Sequence, residues 1–242
     1  MKLEICANSY QSAINAEEAG ANRIELCSEL AIGGITPSYG LLKKVSEKLT
    51  IPIHVLIRPR SGDFTFSDAE FNIMKENILL CKELGISGIV SGVLHIDNSI
   101  DLTRTKELVE ISKPMNFTFH RAFDWVKNPI EEIKKLAKIG VERILTSGQE
   151  NSAEIGIQNL IAFQKSTSKI TIMPGGGINQ QNINLFQENG FKEVHLSASS
   201  QTKTIQKPTI SMNSQKHFDE TKLATSDIQK IKNCIEIISN EK

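Results

Sequence analysis

One glycine-marked junction recurs along this chain and constrains its fold more than any other feature. Gly20, Gly85, Gly140 and Gly190 each follow an amphipathic run and precede a short apolar one: Ala19-Gly20-Ala21-Asn22-Arg23, Leu84-Gly85-Ile86-Ser87-Gly88, Ile139-Gly140-Val141-Glu142-Arg143 and Asn189-Gly190-Phe191-Lys192-Glu193. Glycine just past a helix adopts the left-handed conformation that stops it. The opposite junctions carry start signals: Thr36-Pro37 and Asn128-Pro129 supply a cap or an N1 proline, and Asp101 supplies a cap. Parsed this way, strands are predicted at Leu3–Cys6, Arg23–Leu26, Pro52–Ile57, Gly88–Ser91, Asn116–His120, Arg143–Thr146, Ile170–Met173 and Glu193–Ser197. Helices are predicted at Ser9–Ala19, Ser38–Leu49, Ser67–Leu84, Leu102–Ser112, Pro129–Ile139, Ala153–Ser166, Asn179–Asn189 and Thr225–Ile238. Eight alternating units within 242 residues predict one α/β domain spanning residues 1–242, a (β/α)8 barrel. A doubly wound open sheet is the competing architecture; the regular count and the closing helix favour the barrel. Ser200–Glu220, rich in Ser, Thr, Lys and Gln, reads as a long loop before the last helix.

Side chains two apart on a strand share a face. One face is polar: Glu4 and Cys6, then Arg23, Glu25 and Cys27, then His54 and Arg58, Thr118 and His120, and Glu193, His195 and Ser197. The other is apolar, with Leu3 and Ile5, Ile24 and Leu26, Phe117 and Phe119, Val194 and Leu196. In a barrel the apolar face meets the helices and the polar face lines the interior. Buried charges must be paired, so Glu4, Arg23, Arg143 and Glu193, near strand starts, are expected to form an ion-pair layer at the bottom.

Groups at strand ends carry a different expectation, because barrel active sites lie at the carboxyl-terminal face. Residues 116–125 bring His120 and Asp124 there, just before a new helix. Glu25 and His120 are acid/base candidates, with Arg58 and Asp124 assisting. Arg58 and Arg60, flanking Pro59, offer forked donors for a carboxylate or phosphate. Gly175, Gly176 and Gly177 leave backbone N–H groups free to approach an anion ahead of the helix expected at Asn179, and Ser197 lies in the next loop. Arg121 has the other parity and ranks below His120 and Asp124. Cys6 and Cys27 end adjacent strands on one face, so they are either two small buried apolar side chains or a pair able to share a soft cation such as Cu(I). His95, His195 and His217 form no ligand pattern.

Basic and acidic residues balance at 28 each, and no basic tract stands out, which argues against nucleic acid as a partner. No apolar run is long enough for a membrane span, and no signal-peptide pattern opens the chain. Four unclustered cysteines read as reduced thiols. These features lead to the expectation of a cytoplasmic protein.

Several motifs occur together in order: Leu3-Glu4-Ile5-Cys6, Ala21-Asn22-Arg23-Ile24-Glu25-Leu26-Cys27, Gly33-Gly34-Ile35-Thr36-Pro37-Ser38, Ile57-Arg58-Pro59-Arg60-Ser61-Gly62-Asp63-Phe64, Thr118-Phe119-His120-Arg121-Ala122-Phe123-Asp124 and Leu145-Thr146-Ser147-Gly148. From Leu3 to about Ser199 the chain resembles the CutC family of copper homeostasis proteins. The resemblance implies a cytoplasmic TIM barrel, a homo-oligomer (dimer or tetramer) and copper as cofactor or cargo. It also implies that Cys6 and Cys27 match cysteines proposed as Cu(I) ligands in animal members. Where the family pattern leads one to expect an acidic residue in Val93–Asp97, this chain has His95. Two functions are therefore expected to compete: Cu(I) binding at Cys6 and Cys27, and an enzyme acting on a small anionic metabolite at the barrel mouth.

Overall fold

The computed structural model describes residues 1–212 and 219–239. Strand β1 (Lys2–Ala7) is followed by α1 (Tyr10–Glu18), β2 (Arg23–Leu26), α2 (Tyr39–Ser46), β3 (Ile53–Leu56), α3 (Asp68–Glu83), β4 (Gly88–Ser91) and α4 (Leu102–Ser112). The alternation continues through β5 (Asn116–Phe119), α5 (Pro129–Lys138), β6 (Arg143–Thr146), α6 (Ile157–Lys165), β7 (Thr171–Pro174), α7 (Ile183–Glu188) and β8 (Glu193–Leu196). A hairpin of β9 (Ser199–Lys203) and β10 (Lys222–Ser226) precedes α8 (Ile228–Ser239).

The eight parallel strands form one sheet in the order β7-β6-β5-β4-β3-β2-β1-β8. The outer two, β7 and β8, meet through a single parallel bridge between Gly175 and His195, which closes the ring. That approach depends on the missing side chain: a Cβ on Gly175 would fall 2.5 Å from Leu145 Cδ1 and 3.3 Å from His195 Cβ. The fold is thus the expected barrel.

Two packed regions follow from strand alternation. Leu3, Ile5, Ile24, Leu26, Phe117, Phe119 and Val194 join the large core between sheet and helices. Burying a side chain of this size contributes about 1.5–3 kcal/mol. Inside the barrel, Cys6, Cys27, Leu56 and Val90 make a separate cluster covered by Leu30. Below it lies the expected ion-pair layer. Arg23 pairs with Glu4 and donates to Glu193 at 2.7 Å; Arg143 donates to the same Glu193 oxygen at 2.7 Å and to Thr118 at 3.2 Å. Burial pushes the Glu193 carboxyl up, but Arg143 and Arg23 outweigh it and hold the group below its ordinary value.

The carboxyl-terminal third departs from the sequence reading. Ser200–Glu220 is not one loop: Ser199–Lys203 pairs antiparallel with Lys222–Ser226, while residues 213–218, including His217, lie outside the described residues. Thr225 belongs to β10, and α8 starts at Ile228 behind Asp227, whose carboxylate accepts from the N–H groups of Gln229 and Lys230. The helix expected over Ala153–Ser166 begins only at Ile157. The helix expected at Asn179 begins at Ile183, and residues 179–182 form a turn in which Asn182 and Ile183 donate to the Asn179 carbonyl. Asn179 itself explains the delay, since its side-chain oxygen binds the Gln181 N–H and offers a local alternative to the helix. No helix among the described residues is long and apolar enough to cross a membrane.

Candidate functional site

Register determines what meets inside the barrel. Glu4 pairs across to His195 and Cys6 to Glu25, and Cys27 lies two residues beyond Glu25 on the same face. The sulfurs of Cys6 and Cys27 are 3.7 Å apart, and Cys6 Sγ is 3.9 Å from Glu25 Oε1. His195 Nδ1 lies 2.8 Å from Glu4 Oε1 and 3.9 Å from Glu25 Oε2. Donor atoms of Cys6, Glu25 and His195 all lie within 4.8 Å of one another. The Gly33-Gly34 loop passes directly above: a Cβ on Gly34 would sit 2.7 Å from Leu56 and 3.4 Å from Cys27 Cβ.

The electrostatics of this chamber are uneven. Its hydrogen-bonding neighbour Cys27 pushes the Cys6 thiol well up, as does burial. Burial raises the Glu25 carboxyl to about 7, against the pull of His195 and Arg23. Glu4 experiences the same burial, yet its hydrogen bond to His195 and the charge of Arg23 hold it far below the carboxylate range. The His195 ring is raised despite burial, because Glu25 and Glu4 both favour its cation. Glu25 Oε2 has no hydrogen-bond partner although it is buried.

A second group sits at the mouth. The strand ends at Phe119, and His120 caps a 3-10 turn over Arg121–Trp125, its Nδ1 accepting from the Ala122 N–H at 3.3 Å. Its ring packs 4.8 Å from Phe64, which in turn meets Trp125 at 4.9 Å. His120 Nε2 is buried without a partner, and burial, then Arg58, push the imidazole down to about 3. Asp124 accepts from the N–H and hydroxyl of Ser147, the N–H of Gln149, the hydroxyl of Thr146 and, at 2.8 Å, from Arg121 Nε. It organises the loop after β6. Arg121 also donates to Ser147 at 2.8 Å and lies 3.3 Å from where a Gly176 Cβ would be. Strand parity ranked Arg121 low, and that was misleading because the chain has already left the strand there. The turn-forming Ala122-Phe123-Asp124 that follows was the available signal.

Several other placements revise the sequence reading. Arg58 Nη1 donates to the carbonyls of Ile32 and Gly34 and Nη2 to that of Gly62, so this guanidinium clamps two loops together. Arg60 is taken up by Glu70 at 2.6 Å, Asp63 at 3.1 Å and the Thr65 carbonyl. Both terminal nitrogens of each arginine are therefore engaged within the protein, and Arg58 keeps only its buried Nε without a partner. The acid/base candidates Glu25 and His120 belong to separate groups, with no hydrogen bond or ion pair linking them among the described residues. The three glycines do not form one cradle: Gly175 sits at the barrel seam, Gly176 packs against Arg121 and Ser147, and only Gly177 faces the nearby cavity. That cavity, of about 380 Å³, is also lined by Ser197, Ser199 and Lys230. His195, which forms no ligand pattern in the sequence and reads there as an interior hydrogen-bonding residue, does bond Glu4 inside the barrel and also lies beside Cys6 and Glu25. Its shared face with Glu4 and Glu25 was the signal.

Comparison with known proteins agrees with the fold and with the motifs. The CutC family model matches residues 1–200. A CutC family protein of Proteus mirabilis is 43% identical over 222 residues, covering 90% of this chain and 89% of its relative. One from Enterobacter sp. strain 638 is 46% identical, covering 83% and 81%. A crystal structure of a CutC protein named for copper homeostasis, from Streptococcus agalactiae, superposes with a TM-score of 0.78 at 34% identity, covering 81% of this chain and 98% of that one. On these matches, and on the barrel and motif order that accompany them, the chain belongs to the CutC family.

Proposed function

We propose that this protein is a copper homeostasis protein that holds Cu(I) between the thiolates of Cys6 and Cys27, and that it works in the cytoplasm as a homo-oligomer. The supporting observation is the 3.7 Å separation of the two sulfurs in a buried cluster with Leu56, Val90 and Leu30. Thiolates are the donors a soft monovalent ion prefers. An ion there would displace the thiol protons, since metal binding and ligand deprotonation are coupled. The surrounding apolar wall would exclude water and oxidants. The test is a Cu(I) titration against a chromophoric chelator under anaerobic conditions. Replacing both cysteines, Cys6→Ser with Cys27→Ser, is expected to abolish tight stoichiometric binding; unchanged affinity would overturn the proposal.

A second reading is carried by the cavity beside Gly177, Ser197, Ser199 and Lys230. The loops after the seventh and eighth strands are where barrel enzymes usually bind phosphate, and the cavity size fits a small anionic metabolite. This reading gives the barrel mouth an enzymatic role, with His120 there as a neutral histidine. Inorganic phosphate and small phosphorylated or carboxylated compounds should then raise the melting temperature, with the shift lost in Lys230→Met. No shift across such a series would eliminate it.

A further inference from the structure

The structure assigns a second metal preference to the same chamber: Cys6, Glu25 and His195 form a site for a borderline divalent cation of the zinc class, independent of the two-thiolate arrangement proposed for Cu(I). The inference shares Cys6 with that proposal but does not depend on copper binding.

Three observations carry it. The donor atoms lie within 4.8 Å of one another, close enough to contact a common ion. Their chemistry is mixed, a thiolate, a carboxylate and an imidazole; that set suits Zn²⁺ and Co²⁺, whereas Cu(I) prefers sulfur alone. The third observation points to a ligand. Glu25 is 4% exposed, and its Oε2 is buried with no hydrogen-bond partner, 3.9 Å from His195 Nδ1. A buried acceptor left unmade costs about 1–3 kcal/mol, more if charged, and a cation would satisfy it.

The surroundings fit the same reading. His195 has Glu4 at 2.8 Å, and Glu4 is fixed by Arg23. That contact uses Nδ1, so Nε2 is the ring nitrogen left to ligate an ion, and a carboxylate on the other nitrogen of a ligating histidine is the usual outer support of a zinc site. Charge balance also distinguishes the two metals. One thiolate and one carboxylate neutralise a divalent ion, whereas two thiolates around a monovalent ion leave a net negative charge. Cys27, 3.7 Å from Cys6, stands next to the three donors without being required. Three protein ligands leave a coordination position open, the arrangement of catalytic rather than purely structural zinc sites.

Co²⁺ serves as the probe, because a cobalt–thiolate bond gives a charge-transfer band and a tetrahedral site gives intense visible bands. The full-length protein is titrated anaerobically with Co²⁺ and then back-titrated with Zn²⁺. The expected result is a one-equivalent thiolate–cobalt band that Zn²⁺ abolishes. Loss of an outer partner alone costs about 10–100-fold in affinity, so Glu25→Gln should weaken Co²⁺ by at least about 100-fold. Cu(I) titration of the same Glu25→Gln protein should be unchanged, which also reports that the chamber has folded. Cys27→Ser should show the converse, with Co²⁺ retained and Cu(I) lost. If Glu25→Gln does not fold, His195→Gln is read in its place by the same pair of titrations. The inference is overturned if wild-type protein gives no thiolate–cobalt band. It is equally overturned if the band survives Glu25→Gln or disappears with Cys27→Ser. A Cu(I) affinity indifferent to Cys27→Ser would instead defeat the copper proposal and leave the cobalt result standing.

Discussion

His120 should make the fold lose stability between pH 7 and pH 5. Its ordinary value of 6.5 describes the unfolded chain, whereas burial and the neighbouring Arg58 bring it to about 3 in the fold. Within that window the unfolded state binds a proton that the folded state refuses, so stability falls as pH drops from 6.5 towards 3. At about 1.4 kcal/mol per pH unit, the loss at pH 5 is about 2 kcal/mol. His54, also brought to about 3 by burial, contributes a similar loss. Glu25 opposes them. Its carboxyl is raised from 4.5 to about 7 in the fold, so the folded state takes up a proton first and gains about 2 kcal/mol between pH 7 and pH 5. His195, raised above 6.5, also favours the acid side of neutrality. Because wild-type stability mixes these signs, the informative quantity is a difference between proteins. Urea unfolding of wild type and His120→Phe at both pH values, with equal m-values as the two-state check, should show the variant losing about 2 kcal/mol less on acidification. An equal loss in both proteins would mean that His120 is not held neutral, and the burial argument for the mouth would fail.

Three further outcomes follow from packing and pairing. Gly88→Ala places a Cβ 2.4 Å from the His54 ring, and because that ring is itself buried the overpacking should cost about 1–3 kcal/mol in urea denaturation. Adding His54→Ala should relieve the clash, leaving Gly88→Ala much less costly in that background. Arg143→Met leaves Glu193 with Arg23 as its one remaining cation of the pair, and breaking a buried ion pair from one side should cost about 3–5 kcal/mol by thermal or urea unfolding. Arg58→Met removes a charged donor from three backbone carbonyls. It should cost on the order of 2 kcal/mol and expose residues 28–36 and 57–66 to early protease cleavage, seen by mass spectrometry.

The barrel was legible because its short strands recur between helices closed by glycine, and because β1, β2, β5 and β8 alternate polar and apolar residues. Arg23–Leu26, Gly88–Ser91 and Arg143–Thr146 appear with the bounds their residues suggested. The same alternation anticipated the bottom ion-pair layer and brought Cys6 and Cys27 to one face. It failed where strands leave the sheet. Ser199–Lys203 is polar throughout, and Lys222–Ser226 has only Leu223 and Ala224 as adjacent apolar residues, so no apolar period marks them. It failed again at strand ends: Arg121 and Asp124 are positioned by a 3-10 turn, and the partners of Arg58 and Arg60 are loop carbonyls and carboxylates that no spacing rule identifies. His195 was visible as an inward residue, but its proximity to Glu25 is a diagonal across three strands and needs the register to be known.

The barrel's circumference has one slender link, the Gly175–His195 bridge between β7 and β8, and His195 is also a donor of the interior cluster. An ion shared by Cys6 on β1, Glu25 on β2 and His195 on β8 would act as a rivet set beside the clasp of the ring, fastening the strand next to the opening to the two strands that follow it round the barrel, β1 and β2, from within. Loading the chamber should therefore slow amide hydrogen exchange along residues 171–175 and 193–196 more than elsewhere in the sheet, so that the metal's first measurable consequence would be mechanical.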